Sequence, residues 1–336
     1  MIPRTEPSLH NIEWQKQQAR AVREPEQLIR QLNLNPGLAK DAYLASSDFT
    51  LRVPQSFIDR MEAGNPDDPL LRQILPSPLE TIEKLGFTQD PVGDQYARAL
   101  PGLLHKYQGR VLIMVTGACG IHCRYCFRRH YPYQQEHIQE QRWQDILHYI
   151  RKDKSIKEVI LSGGDPLSLN DKRLAQLLDD LQQIPHLNRL RIHSRQPVVL
   201  PDRITPALLQ MLQANRLKVV LVIHANHANE LDEHVRQALQ QLQSHGVQLL
   251  NQSVLLKGIN DRTRVLMALS ERLVECGVLP YYLHQLDRVE GATHFEVSDA
   301  DALKLLTELR ENLPGYMVPK LVREQAGELA KLPVGL

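Results

Sequence analysis

The stretch Cys119-Gly-Ile-His-Cys123-Arg-Tyr-Cys126 contains three of the four cysteines of this 336-residue chain. It directly follows the apolar run 110–116, whose composition is typical of a buried strand. The end of such a strand is where an α/β sheet or barrel places its chemistry. Three thiolates can hold three irons of a [4Fe–4S] cluster and leave the fourth iron open to a small molecule. The alternatives are a zinc site, although zinc favours four ligands in CxxC-type pairs, and a chance grouping of cysteines.

The bulk composition is that of a soluble globular protein, with 42% hydrophobic and 24% charged residues. The net charge of +1 gives no basic surface for nucleic acid or for a membrane. No apolar stretch approaches the roughly 18 residues that a membrane span needs. Residues 1–8 lack the apolar core of a signal peptide, and the cysteines are few. We therefore expect a cytoplasmic protein without nucleic-acid or membrane partners.

From residue 110 onward, apolar runs rich in β-branched residues alternate with helical segments. The predicted strands are 110–116, 158–162, 190–194, 218–224, 247–255 and 280–286. The predicted helices include 171–184, 230–245 and 263–276. The last five strands begin about thirty residues apart, which is the length of a βα unit. Right-handed crossovers between such units give an α/β fold with a parallel sheet or partial barrel.

The flanking segments have a different character. Residues 11–33 have a helical pattern, with a second helix beginning at Glu24-Pro25, and residues 34–109 are irregular and rich in proline. We predict an N-terminal helical and irregular cap over 1–100, a barrel over 101–314 and a C-terminal segment over 315–336. That last segment follows a helix and can return across the barrel mouth.

Two further motifs lie at the ends of predicted strands. Leu161-Ser-Gly-Gly-Asp-Pro-Leu167 ends the second strand, and its glycines let a ligand approach the backbone and its free N–H groups. A simple turn has the same signature. His224 and Gln252 lie on later strands, where buried polar groups need hydrogen-bond partners. Those partners are each other, the backbone or a ligand.

The cysteine loop resembles that of the radical S-adenosylmethionine (SAM) superfamily, CxxxCxφC, with Tyr125 as the aromatic residue before the last cysteine. The resemblance implies a radical SAM partial (β/α)6 barrel and a [4Fe–4S] cluster whose open iron is chelated by SAM. An electron from an external donor then cleaves SAM to an adenosyl radical. The cluster ligands would be Cys119, Cys123 and Cys126. The residues implied to contact SAM are Gly163, Gly164, Asp165, His224 and Gln252.

A narrower resemblance runs from about residue 50 to the C-terminus. It is carried by Cys126-Phe-Arg-Arg-His130, Arg195-Gln-Pro-Val-Val-Leu-Pro201, Asn251-Gln-Ser-Val-Leu-Leu256 and Pro280-Tyr-Tyr-Leu-His-Gln-Leu-Asp287. These stretches, together with the glycine motif, are similar to those of lysine 2,3-aminomutases. Pro101-Gly-Leu-Leu-His-Lys-Tyr107 and Gly315-Tyr-Met-Val-Pro-Lys-Leu321 resemble the short branch of that family, which supplies (R)-β-lysine for elongation factor P.

The same resemblance implies a pyridoxal phosphate (PLP) site in the C-terminal segment. Lys331 matches the lysine that carries PLP, although Gln325-Ala-Gly-Glu-Leu-Ala-Lys331 has one glycine where the family has a glycine-rich run. Lys106 and Arg110 match a pair of arginines implied to bind the PLP phosphate. Without the resemblance, Lys331 reads as a solvated lysine and the other two as ordinary surface charge.

The substrate implied by the resemblance is free L-lysine. Arg128 matches the arginine for its carboxylate, and Asp287 and Glu324 match the aspartates for its ε-ammonium. Each of these three residues has surface ion pairing as its alternative. Cys276 lies late in a predicted helix and is expected to pack rather than to bind metal.

The sequence therefore predicts a lysine 2,3-aminomutase that uses a [4Fe–4S] cluster, SAM and PLP. The implied partners are an external electron donor and, functionally, elongation factor P with its β-lysyl ligase. A homo-oligomer stays open, because the C-terminal extension that makes oligomer contacts in the long enzymes has no counterpart here. The alternatives are a metabolic aminomutase, a radical SAM enzyme for another amino acid or a peptide, and a PLP-free iron–sulfur sensor.

Overall fold

The computed structural model describes residues 9–45, 49–134, 136 and 138–335. Residues 1–8, on which the expectation of no signal peptide depends, lie outside the described residues. Among the described helices, none combines the length and apolar character needed to cross a bilayer.

One ten-stranded sheet, with its strands in sequential order, runs through the described part of the chain. The strands are β1 Arg98–Leu100, β2 Leu103–Tyr107, β3 Arg110–Thr116, β4 Glu158–Gly163, β5 Arg189–His193, β6 Lys218–Ile223, β7 Gln248–Val254, β8 Leu279–His284, β9 Lys320–Arg323 and β10 Leu332–Pro333. Strands β3 to β9 pair in parallel, and the outer strands at both edges are antiparallel. The six predicted strands are confirmed as β3 to β8, and the sheet remains open between β1 and β10, as in a partial barrel.

Helices cover one face of this sheet. In chain order they are α1 Leu9–Ala19, α2 Pro25–Gln31, α3 Gly37–Ala45, α4 Gln55–Ile58, α5 Glu140–Lys152, α6 Asp171–Gln182, α7 Gln196–Val199, α8 Pro206–Gln213, α9 Glu233–Ser244, α10 Thr263–Glu275 and α11 Asp299–Asn312. The three predicted helices are confirmed as α6, α9 and α10. However, α9 begins three residues later than predicted, because the Asp232 side chain accepts a hydrogen bond from Val235 N and caps the helix there.

Alternate strand residues face opposite sides of the sheet, because the side-chain period of a strand is two. Leu190 and Ile192 of β5 are fully buried in the main apolar core, against the helices. Arg191 and His193 lie on the other face, where Arg191 pairs with Glu158 of β4. We call this polar inner face, lined by Glu158, Arg191, His193 and corresponding residues of the other strands, the lumen.

The N-terminal helices pack over one end of the lumen. Trp14, Leu28 and Phe57 are buried in an apolar cluster that also contains Ile121 of the cysteine loop. These N-terminal helices therefore rest directly on that loop. The prediction that residues 34–109 are irregular was wrong for α3, α4, β1 and β2. The short strand β1 pairs with β2, and β2 pairs with β3.

The C-terminal segment returns to the sheet, as the sequence had suggested. Strand β9 pairs in parallel with β8, and β10 turns back antiparallel on β9. Gly327 lies between β9 and β10 with φ +85°, a conformation that glycine adopts without strain. This turn brings Lys331, the residue before β10, back to the lumen.

Candidate active site

The cysteine loop begins where β3 ends and is held by its own backbone. Cys126 N donates to Cys123 O over 3.0 Å, and Ala118 N donates to Thr116 Oγ1 over 3.1 Å. All three cysteines of the loop are partly exposed, whereas Cys276 is fully buried in the main core. The prediction that Cys276 packs is confirmed. Burial raises the pKa of the Cys126 thiol to about 11.

The glycine motif at the end of β4 packs against the backbone of this loop. A Cβ atom on Gly163 would lie 2.4 Å from Thr116 O, and one on Gly164 would lie 2.4 Å from Ala118 O. Gly164 N donates to Thr116 O over 2.7 Å, and Asp165 N donates to Ala118 O over 2.8 Å. The prediction that the N–H groups of the two glycines are free was therefore wrong for Gly164. The glycines are needed to bring two strand ends together.

The Asp165 side chain is fully used by the protein. Its Oδ1 accepts hydrogen bonds from Leu167 N and Ser194 Oγ, and its Oδ2 accepts from Arg195 N and Gln196 N. Asp165 therefore ties the glycine motif to the loop after β5. Its predicted contact with SAM is not supported by this arrangement, because both carboxylate oxygens are already bound.

His224 and Gln252 are neighbours on adjacent strands. The register pairs Ile223 of β6 with Asn251 of β7, so the next residues, His224 and Gln252, stand side by side. His224 Nε2 lies 2.9 Å from the Tyr125 hydroxyl, in the cysteine loop. Burial, reinforced by the charge of Arg195, lowers the pKa of His224 to about 3, so this imidazole is neutral.

Lys331 lies in the lumen rather than in solvent. Its Nζ is 3.1 Å from His284 Nε2 on β8 and 3.4 Å from Glu324 Oε2 just after β9. The same ammonium lies 5.3 Å from the centre of the Tyr282 ring. Burial lowers the pKa of Lys331, although Glu324 and Asp287 oppose this shift. The reading of Lys331 as a solvated lysine is thus wrong.

Asp287 and Glu324 form the acidic side of this group. Burial and the nearby charge of Glu324 raise the pKa of Asp287 to about 7, while Lys331 and Lys106 partly offset the shift. The pKa of Glu324 is lowered instead: burial opposes this shift, but Lys331 and Lys106 outweigh it. Two carboxylates that share one buried space cannot both ionise freely unless a cation joins them.

Lys106 belongs to the same charge cluster. Its Nζ lies 2.8 Å from Glu324 Oε1 and 2.7 Å from Asp94 Oδ1, and it donates to Val92 O over 2.9 Å. Arg110 instead stacks over the Tyr107 ring, 4.5 Å from its centre. The expected Lys106–Arg110 phosphate cradle is therefore not supported for Lys106, because two carboxylates already neutralise its charge.

Arg128 closes the cluster from the cysteine side. Its Nε donates to Asp94 Oδ2 over 2.7 Å and its Nη1 donates to Ser162 Oγ over 3.3 Å. Asp94 and His284 also belong to this site, although the sequence analysis did not identify these two residues. His284 was in a quoted motif at an inward-facing strand position, so its alternation with Tyr282 was a usable signal. Asp94 lies in an irregular loop without any such pattern.

The donor groups fit the implied cofactors. Among the residues that the structure describes, no three His, Cys, Asp or Glu side chains converge on a single metal ion. A [4Fe–4S] cluster does not need such convergence, because each thiolate binds a different iron. A buried lysine whose pKa is lowered by its surroundings has the reactivity that PLP attachment requires.

Comparisons with known proteins agree with this arrangement. Residues 113–269 match the Radical SAM superfamily. The chain is 50% identical to an L-lysine 2,3-aminomutase of Escherichia coli, over 96% of this chain and 95% of that one. It is 49% identical to an L-lysine 2,3-aminomutase of Haemophilus influenzae, over 92% and 91% of the two chains. An L-lysine 2,3-aminomutase of Buchnera aphidicola is 41% identical, over 97% and 96%.

Proposed function

The chain belongs to the lysine 2,3-aminomutase family of radical SAM enzymes, and from that premise we propose that it converts L-α-lysine to (R)-β-lysine. The observation that carries this proposal is a set of linked charges. Lys331 and Lys106 both contact Glu324, and Lys106 and Arg128 both contact Asp94, while Asp287 feels the charges of Lys331 and Glu324. A cation for a carboxylate and carboxylates for an ammonium match the two ends of free lysine. The enzyme is thus an isomerase that moves an amino group between neighbouring carbons.

The substrate's ends are recognised by charge. Arg128 uses Nε for Asp94 and Nη1 for Ser162 Oγ, and its remaining N–H groups can donate to a substrate carboxylate. Asp287 and Glu324 receive the ε-ammonium of lysine. Binding of that ammonium favours the ionised form of Asp287, whose pKa is raised in the free site. Recognition of lysine and ionisation of Asp287 are therefore coupled.

The cofactors provide the radical chemistry, and the chain provides their ligands. When bound, the [4Fe–4S] cluster and SAM generate a carbon radical, and PLP delocalises an unpaired electron next to the migrating nitrogen. Cys119, Cys123 and Cys126 supply the thiolates. Lys331 supplies the amine, which burial shifts toward its neutral form while His284 Nε2 lies within hydrogen-bonding distance. The protein otherwise contributes positioning and exclusion of water.

The SAM contacts remain part of this proposal. We assign SAM to the space bordered by the cysteine loop, the backbone at Gly163, and the adjacent side chains of His224 and Gln252. Neutral His224 can accept or donate a hydrogen bond through Nδ1, because Tyr125 already contacts its Nε2. Asp165 and Gly164 take a supporting part, since they fix the loop that holds the cluster.

We propose that the product serves translation. The motifs shared with the short branch of the family suggest that (R)-β-lysine is attached to elongation factor P by a separate ligase. Arg128 supports free lysine as the substrate, because a lysine joined through its α-carboxylate would offer this guanidinium no carboxylate beyond that of Asp94. The proposed setting is the cytoplasm, with an external electron donor reducing the cluster.

The test is anaerobic incubation of the reconstituted protein with lysine, SAM and a chemical reductant, followed by chiral amino-acid analysis. Formation of (R)-β-lysine supports the proposal. An Arg128→Gln variant with full iron and PLP content serves as the matched control and is expected to turn over lysine far more slowly. A fully loaded wild-type enzyme that forms no β-lysine would overturn the assignment.

A further inference from the structure

A buried arginine donates directly to one of the cluster thiols. Arg195 Nη1 lies 2.6 Å from Cys123 Sγ, in the loop that follows β5. The donor of this hydrogen bond is a guanidinium, so the bond is charge-assisted. Arg195 is 7% exposed, so its charge is little screened by water at this position.

Arg195 is held in place by an equally buried glutamate and glutamine. Its Nη2 donates to Glu230 Oε2 over 2.8 Å and to Gln73 Oε1 over 2.8 Å. Glu230 and Gln73 are both 0% exposed. Glu230 Oε1 in turn accepts from Gln73 Nε2 over 3.1 Å and from Asn226 N over 2.8 Å. His227 N also donates to Glu230 Oε1 over 3.1 Å, so the position of this carboxylate is fixed.

The backbone of Arg195 is fixed as firmly as its side chain. Asp165 Oδ2 accepts from Arg195 N over 2.7 Å, at the first turn after the strand. The guanidinium also lies 5.4 Å from the centre of the Phe57 ring and 5.9 Å from that of the Tyr125 ring. Segments from the cap, β4, β5 and the loop after β6 thereby converge on one side chain. These contacts hold the guanidinium of Arg195 in one position, at hydrogen-bonding distance from Cys123 Sγ.

The Arg195–Glu230 ion pair acts as a fixed dipole at the cluster loop. Its positive end contacts the Cys123 sulfur, and its negative end is turned toward Gln73 and Asn226. Reduction of an iron–sulfur cluster adds negative charge that spreads onto the sulfur atoms. Hydrogen bonds to those sulfurs stabilise the reduced form and raise the reduction potential.

We infer that Arg195 and Glu230 together set the reduction potential of the cluster, with Arg195 raising it and Glu230 limiting the rise. Neither residue has a place among the cluster ligands or the lysine-binding groups. Both are therefore positioning residues, which act on the cluster through Cys123. The inference extends to how readily an external donor can reduce this enzyme, and it does not depend on which amino acid is the substrate.

The test is a redox titration of the reconstituted protein without lysine, followed by electron paramagnetic resonance of the reduced cluster. Arg195→Gln removes the positive charge and is expected to shift the midpoint potential to a more negative value. Glu230→Gln keeps an acceptor for Arg195 but removes the opposing charge, so the potential is expected to become more positive. A purely structural role for the pair would not give shifts of opposite sign.

Arg203→Gln is the matched control. Arg203 is also fully buried and pairs with Asp171 over 2.9 Å, but its described contacts do not include a cysteine of the loop. Its loss should leave the potential unchanged in samples with full iron content. If Arg195→Gln fails to assemble a cluster, the Glu230→Gln variant alone tests the inference. An unchanged or more negative midpoint potential in Glu230→Gln would then overturn it. Shifts of the same sign in both variants overturn it as well.

Discussion

Arg128 donates from Nε to Asp94 Oδ2 across 2.7 Å, and this carboxylate is only 1% exposed. The contact fixes the guanidinium from its Nε side, while its Nη1 donates to Ser162 Oγ of β4 over 3.3 Å. Asp94 also lies 2.7 Å from Lys106 Nζ, which joins the carboxylate-binding and ammonium-binding ends of the proposed lysine site. One loop residue, Asp94, therefore contacts both Arg128 and Lys106.

Asp94→Asn is expected to weaken lysine binding without loss of either cofactor. A charge-assisted hydrogen bond contributes about 1.5–3 kcal/mol, which corresponds to a roughly 10- to 100-fold lower kcat/KM for lysine. Most of the change should be in KM, because Asp94 acts through Arg128. Steady-state kinetics on iron- and PLP-loaded enzyme measure it. Asp145→Asn, on the exposed side of α5, is the control, and equal kinetics for both variants would exclude a role for Asp94.

Replacement of any one of Cys119, Cys123 or Cys126 by Ala is expected to abolish cluster assembly and turnover. Cys276→Ala should retain the cluster, because Cys276 is buried in the main core and away from the loop. Its cost should be limited to stability, from the small cavity left in the core. Iron and sulfide analysis after anaerobic reconstitution measures the outcome. Loss of iron in Cys276→Ala would contradict a cluster held by three cysteines.

Lys331→Ala is expected to keep the cluster and to lose covalently bound PLP. Lys320→Ala is a suitable control, because Lys320 lies in the same segment but is exposed. Borohydride reduction followed by peptide mass spectrometry should find the PLP adduct on the peptide that contains Lys331 in wild type and in Lys320→Ala. An adduct on a different lysine would falsify the assignment of Lys331.

The fold from β3 to β8 was predictable from the sequence because each βα unit carries its own apolar period. Helix caps account for the small differences in boundaries: Asp232 caps α9, which begins three residues later than predicted. The edge strands β1, β2, β9 and β10 were not predictable in the same way. They have two to five residues each and depend on pairing with neighbouring strands.

The positions of candidate site residues were predictable where they follow strand ends, whereas the partners of the charged side chains were not. Lys106 was expected at a phosphate because Lys106 and Arg110 match a pair of arginines in the family. Its actual partners, Asp94 and Glu324, come from a distant loop and from the C-terminal segment. No local pattern in the sequence encodes which charges meet when such segments fold together. The same holds for Arg195 at Cys123.

The pKa of Asp287, raised to about 7 by burial and by Glu324, predicts a pH-dependent affinity for lysine. Below pH 7 the carboxyl holds its proton and gives the substrate ammonium one charged partner fewer. We therefore expect kcat/KM for lysine to rise with pH through about 7. The same raised pKa contributes stability below the unfolded pKa of about 4 that is lost as pH rises through 7.

Asp287→Asn should remove both pH effects. It should also lower kcat/KM by roughly a hundred- to several-thousand-fold, since removing one partner of a buried ion pair costs about 3–5 kcal/mol. Glu324→Asp, which keeps its charge, should be milder. Kinetics and thermal unfolding between pH 5.5 and 8.5, roughly the range around the pKa, measure these effects. A wild-type pH profile that survives in Asp287→Asn would assign the titration to another group.

A cell that lacks this gene tests the proposed role in translation. If the enzyme supplies free (R)-β-lysine, elongation factor P from the deletion strain should lose the mass of one β-lysyl group. Added (R)-β-lysine should restore that mass without the enzyme, because a separate ligase attaches it. A plasmid-borne copy should also restore it, whereas the Lys331→Ala copy should not. Arg128 is central to the argument, since only free lysine offers it a carboxylate. An unchanged mass in the deletion strain would favour a metabolic aminomutase instead, and rescue by the enzyme but not by β-lysine would point to lysine already attached to the factor.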